Sequence, residues 1–291
     1  MPARDAERVR AALERLRACS VCPRACGVDR LKDEEKFCRT GRYARVASAF
    51  CHFGEEPPLT GWRGSGTIFF SRCNLACVFC QNFDISQRDA GEILRPQELA
   101  SVMLRLEALG CHNINWVSPS HVAPQALEAL VLARRGGLSV PVVYNSGGYD
   151  HVDTLKALEG YVDVYMPDFK YAENAPAEKF SSAPDYADRA REAVREMHRQ
   201  VGDLVTDENG LAAKGLLVRH LVLPGGLTGT EAVMRFLAEE ISPHTYVNVM
   251  AQYRPANKAH SYRELARPIR SSEWREAVEC ARSFGLHRGL D

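Results

Sequence analysis

The sequence predicts an α/β protein built on a parallel sheet, with a cysteine-rich N-terminal cap. Three observations carry that prediction. After residue 66, six apolar runs of strand length alternate with helix-like segments. Ten cysteines fall in 291 residues, and four of them crowd between Cys19 and Cys38. No run of 18 apolar residues occurs, so no transmembrane helix is expected.

Residues 3–18 are rich in arginine and have helical spacing, with Val9, Leu13 and Leu16 on one face. The cysteine-dense segment follows. Residues 51–66 are full of Gly and Pro and read as a loop leading into the first strand. Strands are predicted at 67–71, 113–118, 140–145, 162–167, 216–223 and 245–250, and helices near 96–109, 123–135, 151–159, 186–201 and 228–239. Pro96 with Glu98, and Thr228 and Thr230 with Glu231, are helix-start signals. Such alternation implies helical crossovers between parallel strands. Six units are too few for a closed eight-unit barrel; an open (β/α)6 partial barrel and a doubly wound sheet both fit the count. In either, ligands sit at the carboxyl ends of the strands. Residues 171–185 read as a loop that contributes to a lid, 254–271 as a basic stretch broken by proline, and 272–284 as a final outer helix. The organisation expected is a helix and cysteine-rich cap over 1–60, a barrel over 61–255, and a C-terminal loop and outer helix over 256–291.

Charge is balanced, with 37 basic and 37 acidic residues, so no global field points to nucleic acid or a membrane as partner. The charged N-terminus resembles neither a signal peptide nor a span, which predicts the cytoplasm. Ten cysteines in that setting argue for metal or redox use rather than disulfides.

The densest chemistry lies in Cys73-Asn-Leu-Ala-Cys77-Val-Phe-Cys80. Three thiolates at this spacing can hold three irons of a [4Fe–4S] cluster and leave the fourth iron open, where a purely structural cluster would take a fourth cysteine. Chance placement of ten cysteines would give this spacing roughly 0.01 times per chain. A zinc loop or three unrelated core cysteines are the alternatives. Cys19, Cys22, Cys26 and Cys38 form a second set, able to close a zinc site or a fully ligated Fe–S cluster. Reduced cysteines that merely pack a cap are its alternative, and Cys51 or His52 can stand in for one of the four. Cys111 and Cys280 read as structural.

The other strand ends are polar: Ser118, Ser120 and His121 after the second, Asn145 after the third, Asp168 and Lys170 after the fourth, Arg219 and His220 on the fifth, Gln252 after the sixth. The two histidines are expected to be satisfied structural groups.

The cysteine spacing resembles the signature of the radical S-adenosylmethionine superfamily. The Gln81-Asn82 exit, the Asp168-Phe169-Lys170 triplet and the Val218-Arg219-His220 triplet resemble the glycyl-radical-enzyme activases, whose type is the pyruvate formate-lyase activating enzyme. The Gly-Thr-Ile-Phe-Phe-Ser lead-in and Met250-Ala-Gln-Tyr-Arg-Pro255 are similar to a little-characterised branch of activating-enzyme-like proteins, and the likeness covers roughly 60–255. That resemblance implies a partial (β/α)6 TIM-type barrel, a [4Fe–4S] cluster, S-adenosylmethionine, and an electron donor such as flavodoxin or ferredoxin. It also implies reductive C5′–S cleavage to a 5′-deoxyadenosyl radical, which removes a hydrogen atom, in the activases from a glycine of a partner protein. Radical modification of another peptide or a small molecule is the rival within enzymes, and a non-catalytic metal-binding module the rival outside them. By the same resemblance Phe79 lies beside the adenine and Asp168, Lys170 and Arg219 contact the cofactor; by their chemistry Lys170 and Arg219 can pair with its carboxylate, and Asp168 and Asn145 can meet ribose hydroxyls or the amino group. Ser118 and Ser120 stand where many family members carry a Gly-Gly-Glu turn for the amino group; here the chain departs from the pattern with Ser-Pro-Ser-His.

Overall fold

A computed structural model describes residues 3–290. The N-terminal helix α1 (Ala3–Glu14) gives way to turns through the cysteine-rich segment. The first departure from expectation follows. Residues 44–52 form a strand, β1 (Ala44–His52), and one helical turn, α2 (Pro57–Thr60), interrupts what was read as loop. β1 runs antiparallel to β2 (Ser65–Phe70), with Cys51 opposite Gly66 and His52 opposite Ser65. The turn α3 (Phe83–Ser86) leads to β3 (Glu92–Leu94), which pairs antiparallel with β1.

The predicted alternation then unfolds in order: α4 (Pro96–Ala108), β4 (Ile114–Val117), α5 (Ala123–Arg135), β5 (Val142–Ser146), α6 (Val152–Ala157) and β6 (Val164–Pro167). The second half holds α7 (Asn174–Ser181), α8 (Tyr186–Val201), β7 (Val205–Thr206), β8 (Ala212–Leu221), α9 (Thr230–Phe236), β9 (Tyr246–Met250) and α10 (Ser271–Ser283). The start of α4 is as its sequence suggests. Pro96 opens the first turn, and the Glu98 carboxylate accepts from the Arg95 backbone N–H at 2.7 Å. Leu99, Met103 and Leu106 then bury one face against the sheet. Helix α7 replaces the predicted loop. Pro176 falls in its first turn, where backbone N–H groups have no intrahelical partner, and Ala177 and Phe180 bury its inner face.

All six predicted strands form, and they lie parallel in the order β2-β4-β5-β6-β8-β9. A doubly wound sheet reverses its order at a switch point; this sheet never does. Antiparallel β1, β3 and β7 extend it, and among the described residues no pairing joins β9 back to β2. The sheet is therefore mixed and open, consistent with a partial barrel.

Residues 53–60 close it from below. β1 ends beside the first residue of β2, so the chain turns there under the starts of the parallel strands. Leu59 packs against Val143, Val164, Met166 and Leu217 in one buried cluster and is fully enclosed. Burying such a side chain contributes about 1.5–3 kcal/mol.

Candidate functional site

At the carboxyl ends of the parallel strands lies a cavity of roughly 260 Å³. The loop 73–80, delivered by β2, forms one wall and contributes Cys73, Cys77 and Cys80. Asn145 from β5, Asp168 after β6, Lys170 beyond it and Arg219 from β8 line the cavity as well. Phe79 and Ser118 also line it. Phe79 is braced edge-on by Tyr171 and Tyr253, at ring-centroid distances of 6.5 and 6.0 Å. Ser120 does not reach the cavity. It is buried behind it, where its hydroxyl joins Tyr144 and Ser146 around the Asp150 carboxylate.

Several elements hold the cysteine loop. The backbone N–H groups of Ala76 and Val78 donate to the carbonyls of Ser181 and Phe180 at the end of α7, at 3.1 and 2.8 Å. The Ser181 hydroxyl sits 3.1 Å from Cys77 Sγ. Arg24, from the cysteine-rich segment, donates to the carbonyl of Asn74 at 2.6 Å and to that of Ser182 at 2.7 Å. Asn257 and Gln87 both donate to the carbonyl of Cys77. Ser118 and Arg72 take left-handed backbone conformations, with φ of 59° and 72°, at the two sides of the loop and cavity. Gly148, with φ of 77°, lets the chain after β5 pass close to the end of β6: a Cβ there would lie 2.2 Å from the carbonyl oxygen of Asp168.

The charged groups are interlocked. Asp168 accepts from Arg219 Nε at 2.8 Å and from Lys170 Nζ at 2.5 Å. Arg219 Nη2 donates to Asn145 Oδ1 at 2.7 Å. Burial would raise the Asp168 pKa, but Arg219 and Lys170 outweigh it and hold the carboxyl below its usual range. Burial likewise opposes the charge on Lys170, yet Asp168 and then Cys77 keep the ammonium above its ordinary pKa. Both cations thus stay charged at the cavity wall. Burial pushes the Cys73 thiol up to about 12 and raises that of Cys77, so these sulfurs become thiolates only where a cation compensates them. That donor set suits an iron cluster: three sulfurs line the cavity, and among the described residues no fourth thiol lines it.

Two residues that sequence reasoning passed over belong to this centre. Glu55 Oε2 lies 3.7 Å, and Glu56 Oε1 4.0 Å, from Arg219 Nη1. Adjacent acids between Gly54 and two prolines carry no local sign of burial; only the path of 53–60 beneath the sheet brings them there. His121 and His220 are fully buried and bonded to the carbonyls of Ser71 and Phe169, and burial lowers them to about 3 and about 4. They stay neutral, as structural histidines do.

In the N-terminal segment, Cys19, Cys22 and Cys38 are buried and Cys26 half-buried. Among the described residues no three His, Cys, Asp or Glu side chains gather at metal-holding distance, and this is as true of the 73–80 loop as of this segment. No helix among the described residues is long and apolar enough to cross a membrane.

A sheet whose first parallel strand, β2, delivers three cysteines to a cavity lined by buried cations defines a class, and comparison with known proteins names it. Residues 67–208 match the family model of the radical SAM superfamily. The chain is 33% identical over 276 residues to the uncharacterized protein MJ0674 of Methanocaldococcus jannaschii, an alignment that covers 92% of this chain and 75% of that protein. It is 27% identical over 169 residues to the uncharacterized protein MJ0808 of the same organism, covering 52% of this chain and 49% of that protein. The chain belongs to the radical SAM superfamily. Membership implies an enzyme that uses a [4Fe–4S] cluster and S-adenosylmethionine.

Proposed function

We propose that this enzyme binds its cluster through Cys73, Cys77 and Cys80 and takes S-adenosylmethionine in the adjoining cavity. The cofactor pair supplies reductive C5′–S cleavage and a 5′-deoxyadenosyl radical able to remove a hydrogen atom from a substrate. The observation that carries this reading is one cavity lined by three thiols and by two cations that share the Asp168 carboxylate. Lys170 and Arg219 hold the carboxylate of the cofactor, Arg219 with its planar donor face. Asp168 keeps both cations in place and, with Asn145, meets the ribose or amino group. Phe79 packs on the adenine and Ser118 serves the amino group; Ser120 acts only through Asp150. The open sheet is, in this reading, a partial (β/α)6 barrel of the activating-enzyme-like branch, with residues 1–43 as a cap and 44–60 built into the sheet and its floor. The hydrogen removed is the Cα–H of a glycine in a partner protein, a reduced flavodoxin or ferredoxin supplies the electron, and the enzyme works in the cytoplasm.

Anaerobic reconstitution tests this directly. Iron and sulfide are expected in a 4:4 ratio, with 5′-deoxyadenosine formed under reduction and lost in each Cys→Ala variant of the 73–80 loop. Wild-type turnover in any of the three variants would overturn the ligand assignment. A glycine-centred radical on a partner protein would support the activase reading, and turnover confined to a small molecule would exclude it. The four thiols of Cys19, Cys22, Cys26 and Cys38 are proposed to bind a second metal, because residues 1–45 are strongly charged, with 12 basic and 7 acidic groups, and hold few aliphatic side chains. Metal retained by the triple Cys73/Cys77/Cys80→Ala protein, and lost when Cys22 and Cys26 are also replaced, would support it. A metal-free triple variant would leave these cysteines a packing role.

A further inference from the structure

The interior of the sheet beneath the cavity is polar where a structural barrel would be apolar. Glu55 and Glu56 rise into it from 53–60, with side chains only 7% and 5% exposed. Arg219 from β8 and Asp168 from the end of β6 face Glu55, and Asn115 of β4 lies beside it, close enough to favour its charged form although its amide makes no hydrogen bond of full geometry. Asn248 of β9 donates to Glu56 Oε1 at 2.9 Å, while Glu56 Oε2 is buried without a partner. Arg219 therefore has Asp168 and Asn145 on one side and two glutamates below.

We propose that Glu55 and Glu56 are positioning residues for Arg219, and that binding of a carboxylate ligand in the cavity is coupled to uptake of one proton by Glu55. The inference deepens the reading of the cavity as the S-adenosylmethionine site and rests on it. Three carboxylates, Asp168, Glu55 and Glu56, already surround two cations, Lys170 and Arg219. A bound carboxylate makes four. So many like charges in a poorly solvated interior do not all stay ionised. Asp168 touches both cations and keeps its charge. Glu56 accepts from Asn248 at 2.9 Å, whereas Glu55 lies 3.7 Å from Arg219, beyond hydrogen-bond distance, and has no such donor, so Glu55 is the group that yields; burial raises it, against the pull of Arg219 and with Glu56 and Asp168 adding to the rise. The balance is simple. A proton from solvent adds to one oxygen of the Glu55 carboxylate as the ligand carboxylate pairs with Arg219, and no electron moves.

The test uses the full-length reconstituted protein and calorimetric titration with S-adenosylmethionine from pH 6 to 8.5, in two buffers of different ionisation enthalpy. The wild type is expected to take up protons on binding at the alkaline end, and its Kd to rise toward tenfold per pH unit above about pH 7, the limit for one linked proton. Glu55→Gln should remove that uptake, leaving only the dependence set by the amino group of the cofactor itself, and bind more tightly than wild type at pH 8.5. Glu56→Gln should keep the pH dependence and weaken binding at every pH, because Arg219 loses a support. A purely structural role would change stability without moving the profile. Binding that is independent of pH and buffer in the wild type overturns the coupling while leaving the cofactor site intact, and needs no variant to fold. A pH profile unchanged by Glu55→Gln overturns the assignment to Glu55. Absence of binding at every pH, in protein with a full cluster, overturns the cofactor reading and this inference with it.

Discussion

Lys170 and Arg219 share one carboxylate, so neither cation is free to relax without the other. Replacing Lys170 by alanine removes one charged hydrogen bond to a ligand carboxylate and leaves the sulfur ligands alone. The expected loss of S-adenosylmethionine affinity is about 1.5–3 kcal/mol, with iron content unchanged; equilibrium binding alongside iron analysis checks both halves. Glu55 makes a second prediction, for the apo protein. Its folded pKa is raised to about 7 from the ordinary carboxyl value of 4.5. The folded state therefore holds this proton more tightly than the unfolded chain does. The stability it contributes is fully present below about pH 4.5 and is lost as pH rises toward 7. Denaturant unfolding across that window should show a downward slope that Glu55→Gln reduces, and an unaltered slope would contradict the burial argument. Among the residues that gather at the cavity, the three loop cysteines, Asn145, Asp168, Lys170 and Arg219 were legible because their types and strand-end positions are unusual in a structural sheet. Glu55 and Glu56 were not, since an acid pair in a proline turn ordinarily faces water.

The loop 73–80 is an element without internal regularity, and its shape is imposed by neighbours. Arg24 is the most exacting of these, because one guanidinium joins the backbone of the loop at Asn74 to the end of α7 at Ser182. Arg24→Ala is expected to leave the N-terminal segment folded but to loosen the loop by about 0.5–1.5 kcal/mol, the net worth of a hydrogen bond whose acceptor water can reach. Reconstituted protein should then lose iron faster to a chelator, and a rate equal to wild type would remove Arg24 from that role. The elements themselves were read with uneven success for physical reasons. Strands of the parallel sheet are covered on both faces and form continuous apolar runs, so all six were legible. β1 and β3 lie at an antiparallel edge and are half-exposed, and their mixed composition, Ala44–His52 and Glu92–Leu94, resembles loop. Helix α7 was hidden by a proline in the one turn that tolerates it.

At the scale of the whole molecule, residues 44–60 matter more than a cap would. They supply the outer neighbour of β2 and the floor beneath the parallel strands. A chain shortened to begin at residue 61 would expose the edge of β2 and the apolar ring of Val143, Val164, Met166 and Leu217. It is expected to be aggregated or only partly folded by near-ultraviolet circular dichroism, whereas a chain beginning at residue 40 keeps both features; a folded monomer from residue 61 would refute this. The same floor also sets a schedule for synthesis. Leu59 leaves the ribosome long before Leu217, the last strand it packs against. Roughly 160 residues made at roughly 5–20 residues per second keep it waiting for ~10–30 s. Through that interval the nascent chain carries an unsatisfied apolar anchor, and its native docking is among the latest and most non-local of its contacts.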